Sequence, residues 1–153
     1  MTIEAALCFI FNGDKVLLIY KKKGFGKGKL NGVGGRVEKG ESLEETAKRE
    51  VLEEVNLKVD NLEHVGILEF YSASPQPDWR VYVFKTHTVE GIPMESEEAK
   101  PLWFKIDEIP YDLMWEDSRI WLPLLLKGKK FKGKFWFDKN YSKMLKYEIE
   151  ELS

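Results

Sequence analysis

Apolar and polar positions along the chain change period several times, and each change marks an element. Residues 3–11 and 15–20 are aliphatic runs on either side of Asn12-Gly13-Asp14, a sequence that predicts a β-hairpin. From Leu43 the period becomes helical. Leu43, Ala47, Val51 and Val55 recur at i, i+4, i+8 and i+12, a stripe that buries one helix face against a sheet. Ser42 and Glu45 occupy the two positions of a capping box, which fixes the start of that helix. Segments 63–72, 79–89 and 101–106 return to β-branched and aromatic content and read as strands. A second helix, from about Asp117 to Lys127, turns Ile120, Trp121, Leu124 and Leu125 inward, with Pro123 as a kink. The end alternates again. Segments 131–139 and 143–151, joined by Asn140-Tyr141-Ser142, predict a terminal hairpin in a chain of the α/β class.

The polar side of the first helix changes this picture from architecture to chemistry. Residues three and four apart share a helix face, so Glu50 stands beside both Glu53 and Glu54 on the outward side. Three carboxylates there repel one another, and a hard divalent cation resolves the conflict. Gly34 and Gly35 precede the helix and permit close backbone approach to a ligand; a carbonyl at Gly34 completes such a metal shell. Arg49 is placed to hold one of the carboxylates. Acidic helix faces are more often plain solvated surface, and only the spacing argues otherwise.

That spacing resembles the Nudix box: Gly, five residues, Glu, seven residues, Arg-Glu, an aliphatic, any residue, Glu-Glu, any residue, Gly, an aliphatic. Gly35, Glu41, Arg49, Glu50, Val51, Glu53, Glu54 and Leu57 all fall in place. Asn56 replaces the last Gly, and asparagine is the next best residue for a left-handed helix end. The resemblance implies an α/β/α sandwich with a mixed β-sheet between helices, and Mg²⁺, or Mn²⁺ in its place, as cofactor.

Composition is consistent with one enzyme domain over residues 1–153. The chain is 43% hydrophobic, enough to bury a core without disulfides, and its single cysteine, Cys8, lies in an apolar run and reads as a core residue. No signal peptide and no apolar stretch near ~20 residues is present, so a cytoplasmic protein away from membranes is expected. A net charge of -2 gives no global pull on nucleic acid, so no stable nucleic-acid partner is expected. A monomer is expected.

Beyond the box, residues 4–152 resemble the animal branch of the MutT-like oxidised purine nucleoside triphosphate hydrolases. The carrying segments are KKKGFGKGKLNGVGG at 21–35, ESEEAKPLWF at 95–104, MWEDSRIWLPLLL at 114–126 and KFKGKF at 130–135. This implies hydrolysis of nucleotides such as 8-oxo-dGTP to the monophosphate and pyrophosphate. It places Asn31 at the base and sugar, Trp115 as a stacking platform and Asp117 on the Watson–Crick edge, with Lys21 near the substrate. Phe25, Phe70 and Trp79 are candidates for the same apolar pocket, although singly each reads as core or rim. Trp115 taken alone reads as core packing. Ser118 stands where the branch has a second aspartate, which puts the choice among 8-oxo-dGTP, 2-hydroxy-dATP and ordinary purines in doubt. Five lysines in KKKGFGKGK form a phosphate funnel or, individually, a solvated loop. His64 and His87 have no metal-ligand spacing and read as ordinary strand residues.

The implied metal ligands are Glu50, Glu53, Glu54, Glu98 and Gly34, with Glu53 or Glu98 as the base that takes the proton of the attacking water. Other readings stay open: a Nudix hydrolase of dinucleoside polyphosphates, ADP-ribose or capped RNA, or a silent nucleotide sensor or RNA-binding module.

Overall fold

The computed structural model describes residues 1–152. Its first strands are β1 (Ile3–Asn12) and β2 (Lys15–Lys21), followed by the short β3 (Leu30–Asn31) and β4 (Val33–Arg36). Helix α1 (Leu43–Val55) leads to β5 (Lys58–Asp60), β6 (Glu63–Tyr71), β7 (Trp79–Thr86), β8 (Thr88–Glu90) and β9 (Ala99–Lys105). A 3₁₀ turn at Tyr111–Leu113 then precedes α2 (Ser118–Leu126), β10 (Lys130–Phe137) and β11 (Met144–Leu152).

The main sheet runs β11-β10-β6-β7-β1-β2-β3, with β4 on β1 and β9 on β2. It is mixed, since β1 lies parallel to β7 and β10 parallel to β6 while the other pairs are antiparallel. Strand alternation sends Leu7, Phe9 and Phe11 to the α2 side with Trp121, Leu122 and Leu125, and Ala6, Cys8 and Ile10 to the α1 side with Ala47, Val51 and Val55. Two cores result, one on each sheet face, and this is the expected layered sandwich. Burial pushes the Cys8 thiol up to about 12, so it stays a neutral core residue.

The capping box at Ser42 and Glu45 is formed, and Asn56 ends α1 in left-handed backbone at φ 60°. Three expectations change. The segment 79–89 breaks at His87, so β8 pairs with β5 in a separate small sheet and His87 instead stacks on Phe11. Strands β3, β4 and β5, of two to four residues, are too short to show a period and were invisible in the sequence. In α2 the fully buried positions are Trp121, Leu122 and Leu125, while Ile120 and Leu124 are only partly covered, because the helix packs on β10 rather than centring on Ile120. No helix among the described residues is long and apolar enough to cross a membrane.

What positions the site is a fork in β1. Residues 5–8 pair with β4 and residues 10–12 with β2, so the two partners diverge and leave an opening between them.

Candidate active site

A cavity of about 310 Å³ lies over that fork, with walls from β1, β2, β4 and the turn before α2. At one end stands Glu54. The outward face read from the sequence holds only in part, because Glu54 is 4% exposed, whereas Glu53 points to solvent. The reason is the approach of α1 to β4. A Cβ on Gly35 would come within 2.5 Å of the Glu50 carboxylate, and one on Gly34 within 2.0 Å of the Ala6 carbonyl oxygen. Only glycine lets the helix carboxylates sit this close to the strand.

Glu54 is in an environment hostile to its charge. Desolvation, then a hydrogen bond and repulsion from Glu50, lift its carboxyl to about 9, with Glu98 adding repulsion and Lys21 opposing. Its Oε2 is buried without a hydrogen-bond partner. Among the described residues no three metal-ligating side chains converge as they stand. A buried, unpartnered carboxylate oxygen pressed against a second carboxylate nevertheless fits a cation, which on displacing the Glu54 proton relieves both the desolvation and the repulsion.

Arg49 organises the surrounding carboxylates. Its Nη1 donates to Glu50 Oε1 at 2.8 Å and reaches Glu53 Oε2 at 3.4 Å, and its Nη2 donates to the Arg36 carbonyl at 3.1 Å. Glu98 sits in the loop before β9, where its carbonyl accepts from Lys22 N–H at 2.8 Å. Neither Glu53 nor Glu98 lines the cavity itself.

The other end is aromatic. Phe25, from the lysine- and glycine-rich loop, lies parallel to Trp115 (5.1 Å, 27°) and to Trp79 (6.0 Å, 13°). Lys29 stands over the Trp115 ring at 5.0 Å and Arg36 over Trp79 at 5.4 Å, so cations rim the slot. Asn31 lines the cavity with its Oδ1 engaged by Gly32 N–H at 2.8 Å, which leaves its amide nitrogen to donate. Asp117 also lines it, buried, accepting from Trp121 Nε1 at 2.7 Å; burial lifts its carboxyl to about 6.

Of the sequence-derived substrate residues, Lys21, Phe25, Asn31, Phe70, Trp115 and Asp117 meet in this one cavity. Ser118 does not. It is 1% exposed as the first residue of α2 and is not part of the cavity wall. Reasoning from sequence missed Arg36, Phe137 and Tyr141, which also line it; Tyr141 looked like turn filler, and only its aromatic character hinted otherwise.

Comparison with known proteins gives the family and the fold. The profile of the NUDIX domain matches residues 1–125. The chain is similar to the oxidized purine nucleoside triphosphate hydrolase of Mus musculus, at 43% identity over 95% of this chain and 93% of that protein. It is likewise similar to the protein of that name from Danio rerio, at 40% identity over the same shares. Among solved structures, a MutT protein from Bacillus halodurans superposes with a TM-score of 0.85 at 28% identity, covering 97% of both chains.

Proposed function

This chain belongs to the NUDIX family, and on that basis we propose that it hydrolyses oxidised purine nucleoside triphosphates, such as 8-oxo-dGTP, to the monophosphate and pyrophosphate. The observation that carries the reading is continuity: one cavity joins the aromatic slot of Trp115 and Phe25, with Asn31 and Asp117 at hand, to the Glu54 carboxylate. A base held in the slot directs its phosphates toward the carboxylates.

The residues divide the work. Trp115 offers an indole face to the base, and Asp117 and Asn31 offer acceptor and donor to its polar edge. Phe25 and Phe70 exclude water from the slot, and Lys21 places positive charge beside the phosphates. Glu50, Glu53, Glu54, Glu98 and the Gly34 carbonyl would hold Mg²⁺ or Mn²⁺. When bound, the metal would supply neutralising charge to the pyrophosphate and a coordination position for the attacking water. Glu53 or Glu98 accepts the proton of that water, and Arg49 keeps the helix carboxylates in register. One domain spanning the chain, acting as a monomer without a stable nucleic-acid partner, suffices for this chemistry.

The test is a nucleotide panel with Mg²⁺ scored for pyrophosphate release. Oxidised purine triphosphates should give the highest kcat/KM. Preference for ADP-ribose, a dinucleoside polyphosphate or capped RNA would overturn the reading.

A further inference from the structure

One wall of the cavity has no part in the roles above. Tyr141, in the turn between β10 and β11, holds a left-handed backbone at φ 56°, a conformation that a bulky residue keeps only when its surroundings over-determine it. Those surroundings are three rings and a carboxylate. The phenol ring stacks on Phe137 (5.2 Å, 27°) and stands edge-on to Phe25 (5.6 Å, 87°) and Trp115 (6.4 Å, 88°). Its Oη donates to Asp78 Oδ2 at 2.5 Å, and the Ser72 hydroxyl donates to the same oxygen at 2.6 Å.

Asp78 is anchored in turn. Its N–H donates to the Phe70 carbonyl at 2.7 Å and its own carbonyl accepts from Ile3 N–H at 2.9 Å, immediately before Trp79 begins β7. A single side-chain bond therefore ties the turn after β10 to the turn before β7, across the aromatic slot. Burial, and then the Asp78 bond, raise the Tyr141 phenol above its ordinary range, so it remains a hydrogen-bond donor at neutral pH.

We propose that Tyr141 is a specificity-determining residue that forms a further wall of the base slot, and that Asp78 is the positioning residue that latches it in place. The proposal rests on the purine reading given above. An edge-on ring narrows the space beside Phe25 and Trp115, so a base that fills the slot gains contacts that a smaller group, or no base at all, does not.

The experiment measures kcat and KM separately for 8-oxo-dGTP, dCTP and methyl triphosphate, which carries no base. Tyr141→Gly removes the ring while accepting the left-handed backbone, so it reads the side chain and not strain. It should raise KM for 8-oxo-dGTP about tenfold, the scale of one lost stacking contact, with kcat held within about twofold. KM for methyl triphosphate should move far less. Tyr141→Phe and Asp78→Ala should each raise the purine KM, and the double variant should be no worse than the poorer single one, since both remove the same bond. Asp78→Asn keeps an acceptor oxygen and should recover the wild-type KM.

Equal losses on 8-oxo-dGTP and methyl triphosphate would make Tyr141 structural and overturn the proposal, as would a wild-type purine KM in Asp78→Ala. Wild-type protein with no purine preference would sink the functional reading together with this one. Purine preference retained unchanged in the variants would sink this inference alone.

Discussion

Arg49 clasps Glu41 through two bonds, Nε to Oε2 at 2.6 Å and Nη2 to Oε1 at 3.1 Å, while its third nitrogen reaches Glu50. The forked geometry matches guanidinium to carboxylate, so Glu41, which lies before the helix, fixes the arginine that steadies the helix carboxylates. Arg49 and the backbone N–H of Glu38 hold the Glu41 carboxyl down at about 2, below its ordinary 4.5. A value lowered by folding stabilises the protein fully above pH 4.5, and the contribution is lost as pH falls toward 2. Thermal denaturation of Glu41→Gln between pH 7 and pH 2 should show a shallower acid decline than wild type. Identical pH slopes would show that the clasp does not couple to folding.

With its carboxyl lifted to about 9, Glu54 is protonated at neutral pH in the metal-free protein, so Glu54→Gln exchanges one neutral side chain for another and should leave the metal-free melting temperature about where it is. Turnover should nevertheless fall by orders of magnitude, and added Mg²⁺ should raise the melting temperature of wild type only. Near wild-type activity would remove Glu54 from the metal set.

Trp115→Ala should weaken nucleotide binding by about 1–3 kcal/mol through the lost stack. Hydrolysis of a pyrophosphate ester without a base should be spared. Parallel loss on both substrates, read as kcat/KM, would assign the indole to packing against Phe25 and Phe137.

Asp117 carries a prediction of opposite sign to Glu41. Burial raises its carboxyl from 3.8 to about 6, so the folded protein takes up a proton that the unfolded chain does not. Its contribution is present below pH 3.8 and is lost as pH rises through about 6. Asp117→Asn should flatten that part of the stability curve; an unchanged curve would show that the group titrates normally.

On substrate choice, Asp117→Ala should cost about 1–3 kcal/mol of transition-state binding by leaving polar base atoms unpaired. Ser118→Asp adds a carboxylate beside Asp117 at a buried position and should shift the activity ratio between 8-oxo-dGTP and 2-hydroxy-dATP. Unchanged kcat/KM ratios for these and dGTP in both variants would mean that the start of α2 does not read the base.

The chain's local chemistry is legible in its sequence. Ser42, Glu45 and Asn56 bound α1 and the Leu43 stripe chose its buried face, because capping and helical period act over a few residues; the reaction class came from the resemblance of the glycine-to-glutamate spacing to the Nudix box. Tertiary structure decided what depends on contacts between distant segments. Glu54 became buried because β4 closes on α1 at Gly35, which no helical pattern records. Ser118 lies outside the cavity wall and Tyr141 within it, since the packing of α2 on β10 and the Asp78 bond, spanning 63 positions, set those places. A period of hydrophobicity states which face is covered; only the fold states what covers it.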